Sequence, residues 1–116
     1  MNMKKYAESH EYVIKEENIG IVGISANAAD ELGDITYVDL PEEGKEVKKG
    51  DIICSVESVK SASDVYAPVS GKIVEVNSVL EDTPETINDD AEGKGWICKI
   101  EMSDESELDD LKDDDE

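Results

Sequence analysis

Glu57-Ser58-Val59-Lys60-Ser61-Ala62-Ser63-Asp64-Val65-Tyr66-Ala67-Pro68-Val69-Ser70-Gly71 is the stretch on which the fold turns. Asp51 to Glu57 reads as a strand, Ser58 to Ser61 as a polar tip, and Ala62 to Ala67 as a returning strand. A lysine is therefore predicted at the end of a β-hairpin. After Pro68, the segment Gly71-Lys72-Ile73-Val74-Glu75-Val76-Asn77 alternates with period two, as a half-buried strand does.

Outward from this centre the same vocabulary repeats. Glu11 to Lys15 and Ile19 to Ile24 predict a hairpin joined by the polar run Glu16-Glu17-Asn18. Ser25 is placed to cap a short helix with Ala28, Ala29 and Leu32 on one side and Gly33 as its stop. Asp34 to Leu40 reads as a strand ended by Pro41, with turns at Pro41–Gly44 and Lys48–Asp51. An acid-rich stretch around Pro84 reads as a loop, and Trp96 to Met102 as the last strand. Ser103 is expected to cap a final short helix near 103–111, anchored by Leu108 and Leu111. Residues 112–116 read as a charged, frayed tail to a single domain over 1–111. Many short strands with frequent turns make the chain mainly β, a sandwich or small barrel.

Composition narrows the partners. With 11 basic against 31 acidic residues the formal charge is −20, which disfavours nucleic acid and anionic membranes. An acidic surface does suit encounters with basic patches on other proteins. The aromatic content is low, with no Phe and one Trp, so Val and Ile must build the core. No apolar run is long enough to span a bilayer, and Met1 to Tyr6 has no hydrophobic stretch behind its lysines; a cytoplasmic protein is expected. Cys54 and Cys98 lack metal-ligand spacing and sit in apolar runs, which predicts buried reduced thiols and no metal site.

At the tip, Ser58, Ser61, Ala62 and Ser63 are small and leave the Lys60 ammonium reachable. Nothing nearby would desolvate it. Such a lysine suits acylation by a modifying enzyme better than Schiff-base catalysis.

The stretch around Lys60 resembles the lipoylation segment of glycine cleavage H proteins. In that family the modified lysine has a glutamate three residues before it and a glycine eleven after, the places of Glu57 and Gly71. The likeness extends to Lys5-Tyr6-Ala7-Glu8-Ser9-His10-Glu11-Tyr12-Val13, Gly23-Ile24, Leu32-Gly33-Asp34, Val38-Asp39-Leu40-Pro41, Val74-Glu75-Val76-Asn77, Gly95-Trp96 and Ser106-Glu107-Leu108, across roughly positions 4 to 111. It implies two small antiparallel sheets packed as a flattened, lipoyl-domain-like barrel or sandwich, with Lys60 on a protruding turn. It also implies a carrier and not an enzyme: lipoate in amide linkage to Lys60 takes the aminomethyl group of glycine at a decarboxylase (P protein). An aminomethyltransferase (T protein) then receives it, and dihydrolipoyl dehydrogenase (L protein) reoxidises the dithiol. A lipoate ligase or lipoyltransferase would install the arm on a monomer. Glu57 and Gly71 would serve lipoylation recognition, and Ser9, Glu11 and Asp64 would line a cleft that shelters the loaded arm. His10, the single histidine, is assigned a structural or partner-facing role.

Three features depart from the family pattern. Tyr12 stands for a usual tryptophan, Ala91-Glu92 for a usual Pro-Tyr pair, and the chain turns Asp-rich soon after Leu111 where a longer helix is usual. Other lipoyl and biotinyl carriers set their lysine in Asp-Lys-Ala or Met-Lys-Met contexts, absent here. The remaining alternative is an H-like scaffold that relays lipoate or serves another redox role. No nucleophile–base pair, phosphate loop or metal cluster supports an enzyme.

Overall fold

Ile19–Ile24 (β3) and Glu11–Glu16 (β2) form the predicted hairpin, in antiparallel register from Glu11 opposite Ile24 to Glu16 opposite Ile19. Glu17 makes the reversal with φ of 56°. The structure, a computed structural model, describes residues 3–115. Outside β2 lies a strand the sequence did not announce, β1 (Met3–Tyr6), with Lys4 opposite Ile14. Beyond these come β4 (Ile35–Asp39), β5 (Glu46–Val47), β6 (Ile52–Ser58), β7 (Ala62–Tyr66), β8 (Gly71–Val76) and β9 (Cys98–Met102). They assemble into a six-stranded sheet in the order β1-β2-β3-β9-β8-β5 and a three-stranded sheet in the order β4-β6-β7. Every pairing is antiparallel, and the sheets do not close into a barrel.

One core joins the two sheets. Val13, Val22, Ile73 and Ile100 come from the larger sheet, and Val38, Val56 and Val65 from the smaller; all are at most 2% exposed. Cys54 and Cys98 are free and buried within this cluster, as their apolar neighbours predicted. Burial pushes the Cys98 thiol up to about 12 and raises that of Cys54 as well, so neither is a reactive thiolate near neutrality.

Helix α1 (Ala26–Leu32) begins at Ser25, whose hydroxyl accepts from Ala28 N, and ends at Gly33 with φ of 80°. The acid-rich stretch around Pro84 is not a plain loop. It holds two short helices, α2 (Val79–Asp82) and α3 (Thr86–Asp90). Each is pinned by one fully buried side chain, Leu80 and Ile87, worth about 2 kcal/mol apiece. That burial outweighs the weak local propensity of so short and charged a segment.

The last turn is a 3-10 helix, Glu105–Asp110, and its cap is Asp104 instead of Ser103. Ser103 is occupied otherwise: its backbone N–H extends the strand by donating to Ser70 O. The Asp104 carboxylate accepts from Ser106 N at 3.0 Å.

Lys112 to Asp115, expected to fray, lie against the domain. Lys112 and Tyr6 exchange backbone hydrogen bonds at 2.8 Å, Lys5 pairs with Asp113, and Asp115 accepts from Asn27 through its carbonyl. Pairing with β1 gives this charged segment backbone partners that its composition does not reveal. The Glu116 end of the expected tail lies outside the described residues.

Candidate functional site

Strands β6 and β7 pair from Ile52 opposite Tyr66 to Glu57 opposite Ala62, which leaves Ser58 to Ser61 as the turn. Ser58 shapes it. Its N–H donates to Ser61 O at 2.8 Å, while its hydroxyl accepts from Lys60 N at 3.1 Å and Ser61 N at 3.2 Å. A side chain that satisfies two turn amides replaces water and fixes the loop. Lys60 is exposed at the apex, beside exposed Val59. Its stem is directed towards α1: a methyl group at Gly33 would stand 3.4 Å from Lys60 Cε.

Gly33 is one residue beyond Leu32, and Leu32 belongs to the wall of a cleft of about 290 Å³. Ser9, His10 and Glu11 line one side of it, Ala28, Glu31 and Leu32 another, and Ser61, Ser63, Asp64 and Val65 from the lysine hairpin complete it. The structure thus brings Ser9, Glu11 and Asp64 together at one cleft next to the lysine. No lysine or arginine is among the described residues lining it.

Glu11 is the unusual member. Only 2% exposed, its carboxylate accepts from the Ser9 hydroxyl and from Tyr66 N at 3.0 Å, the latter across from the other sheet. Burial raises its pKa, and the two hydrogen bonds oppose the rise without cancelling it. A carboxylate so placed gains from a cationic guest.

Glu57 and Gly71 do not join this cleft. Glu57 is exposed on β6, opposite Ala62, at the foot of the turn. Gly71 starts β8, opposite Val47 and Met102; a Cβ there would sit 2.0 Å from Glu101 O. The glycine is thus required by the close approach of the paired strand β9. His10 has φ of 73° and its Nδ1 lies 2.6 Å from Asp115 Oδ1, a structural tie between the cleft's first loop and the C-terminal segment. Sequence reasoning missed Glu31, Ala28 and Leu32 as cleft lining. The apolar side of α1 was legible, but only Ala29 of that helix is fully buried; its half-buried neighbours face the cleft.

The family model described as "Glycine cleavage H-protein" matches residues 4–116. The chain belongs to the glycine cleavage H-protein family. It is 59% identical to the glycine cleavage system H protein of Thermotoga maritima, over 97% of this chain and 91% of that one. It is 58% identical to the H protein of Coprothermobacter proteolyticus, over 92% and 85% of the two chains. The crystal structure of the H protein from Mycobacterium marinum superposes with a TM-score of 0.83 at 37% identity, covering 87% of this chain and 84% of that one. The family is the lipoyl carrier of the glycine cleavage system and not one of its catalysts, so this chain is a carrier and not an enzyme.

The departures from the family pattern meet in space. Tyr12, fully buried, donates its hydroxyl to Ala91 O at 2.9 Å. Glu92 accepts from Tyr6 OH at 2.6 Å and from Ala26 N at 2.8 Å, and is paired with Lys4. Burial alone would raise the Glu92 pKa, but these donors hold it below the ordinary value.

Proposed function

We propose that Lys60 carries lipoate in amide linkage and that the arm shuttles the aminomethyl group of glycine among the P, T and L proteins. The observation that carries this reading is the pairing of an exposed lysine on a hydrogen-bonded turn with an adjacent cleft that holds a buried carboxylate and has no lysine or arginine among its described lining residues. When bound, the lipoyl disulfide supplies the acceptor sulfur for the aminomethyl group and the dithiol that is later reoxidised.

The chain's own residues do the rest. Lys60 offers a primary amine for acylation, and Ser58 holds its backbone in place. Ala28 and Leu32 give the cleft an apolar wall for hydrocarbon, while Glu11, with Ser9 and Asp64 nearby, holds the cationic amine. Shelter from water is what delays loss of an aminomethyl group between partners. Glu57, exposed beside the turn, is the recognition carboxylate for the lipoate ligase or lipoyltransferase, and Gly71 contributes through the close pairing of β8 with β9 that it permits. The charge of −20 favours encounter with basic surfaces on the three partners and argues against nucleic acid. Free, buried cysteines fit a reducing, cytoplasmic setting.

Glycine loading tests the assignment. The lipoylated chain, given glycine and a pyridoxal-phosphate decarboxylase of this system, should gain one aminomethyl group, and Lys60→Arg should gain none. Lipoylation without any glycine loading would instead favour a lipoate relay.

A further inference from the structure

We infer that Asn88, in the acid-rich stretch between β8 and β9, is a positioning residue for the lysine turn. Its side-chain amide brackets Asp34 from both sides. The Asn88 carbonyl oxygen accepts from Ile35 N at 2.9 Å, and its NH₂ group donates to Gly33 O at 2.8 Å. One planar amide thus fixes two consecutive peptide units of the Gly33–Ile35 segment.

That segment is what the turn rests on. Val59 N donates to Asp34 O at 3.0 Å, Ile35 is the register partner of Ser58, and the Lys60 stem lies beside Gly33. The chain of contacts runs from Asn88 through Gly33–Ile35 to Ser58, Val59 and Lys60. Val59 and Lys60 are exposed and bury nothing themselves, so hydrogen bonds and not packing must hold the apex. Asn88 is not needed to hold its own helix, because Ile87 is fully buried and Ala91 nearly so. The residue is exposed, and its side chain is held by these two hydrogen bonds. A residue that is dispensable for the core yet bidentate to the support of the turn is placed to set where Lys60 presents itself. A turn freed of this support must be ordered when it docks, and that cost weakens productive encounter.

The inference rests on Lys60 as the lipoylated residue for its functional readout, but not for its structural one. Two variants of the full chain separate the possibilities. Asn88→Ala removes the clasp. Asn77→Ala removes a different bidentate amide, which donates to Lys94 O and Trp96 O and is nearly buried, so it should lower stability more while leaving the turn alone. Both are assayed with a lipoate ligase, lipoate and ATP, and by hydrogen exchange at Val59 N. Asn88→Ala should speed Val59 exchange and lower kcat/KM for lipoylation, each roughly tenfold, with the loss in KM and kcat nearly kept. Asn77→Ala should change neither beyond about twofold once its lower melting temperature is allowed for. Unchanged Val59 exchange in Asn88→Ala, or an equal lipoylation loss in Asn77→Ala, overturns the inference. If the wild-type chain takes no lipoate at all, the Lys60 reading falls, and Val59 exchange still decides whether Asn88 is the clasp.

Discussion

Two sheltered carboxylates, Glu11 at the start of β2 and Glu92 just after α3, have opposite electrostatics. Glu92 is surrounded by donors the fold itself supplies: the Lys4 ammonium, the Tyr6 hydroxyl and the first free N–H of α1. Its pKa is lowered. Glu11 is more deeply buried; the Ser9 hydroxyl and the Tyr66 N–H donate to it and His10 lies near, but burial outweighs them and its pKa is raised. The first carboxylate has its charge balanced at home and is structural. The second has no lysine or arginine beside it at the wall of a cleft, which on the proposed reading leaves it affinity for a cationic cargo. The comparison also explains the family departure at Ala91-Glu92. Here a carboxylate at the start of α1 closes a cluster with Lys4 and Tyr6, and Tyr12 reaches the neighbouring carbonyl.

The largest effect expected from breaking this contrast is at Glu92. Glu92→Ala leaves three donors without their acceptor and should destabilise the domain by about 2 kcal/mol, read by urea unfolding at pH 7. The sign with pH follows from the lowered pKa: the contribution is present above the unfolded value and is lost as pH falls through the folded one. The gap between wild type and variant should therefore close in acid, below the ordinary glutamate range. A gap that widens there would contradict the assignment.

Glu11 should behave the other way. Its raised pKa means that the charged form costs stability, so protonation favours the fold as pH drops through the raised value. Glu11→Gln keeps an acceptor for Tyr66 N and should be more stable than wild type at pH 7, by up to about 1 kcal/mol. That advantage should fade as pH falls through the raised value toward the unfolded one. The same variant should release an aminomethyl group from the loaded arm faster. Lower stability at pH 7 with unchanged release would remove the distinction between the two carboxylates.

The smallest effect lies at the turn. Ser58→Ala loses the hydroxyl that accepts from Lys60 N and Ser61 N, at a cost of roughly 1 kcal/mol or less because water can replace it at an exposed site. Lipoylation should slow while the melting temperature barely moves. Equal lipoylation rates would show that the turn needs no side-chain support.

Much of this was legible in the residues. A period-two run marked β8, the Glu11–Lys15 and Ile19–Ile24 runs marked a hairpin, Ser25 and Gly33 bounded α1, and the lysine turn fell between two readable strands. What stayed hidden depends on partners distant in sequence. Strand β1 is lysine-rich and exists because it pairs with β2 on one side and Lys112 on the other. Strand β5 has two residues, too few for any pattern. Helices α2 and α3 form around single anchors within a run of acids. Glu11 was marked by the family resemblance alone; its burial depends on Tyr66 N from the other sheet, which no local pattern reveals. Asn88 carried no signal at all, since its meaning lies in two backbone groups more than fifty positions away.

The central claim is that Lys60 is the residue that receives the arm. Intact mass followed by peptide mapping, after incubation with a lipoate ligase that modifies H proteins, lipoate and ATP, tests it most directly. The account predicts a gain of one lipoyl group, located on the peptide containing Lys60 and absent from Lys60→Arg. No gain, or a lipoyl group on another lysine, would contradict it.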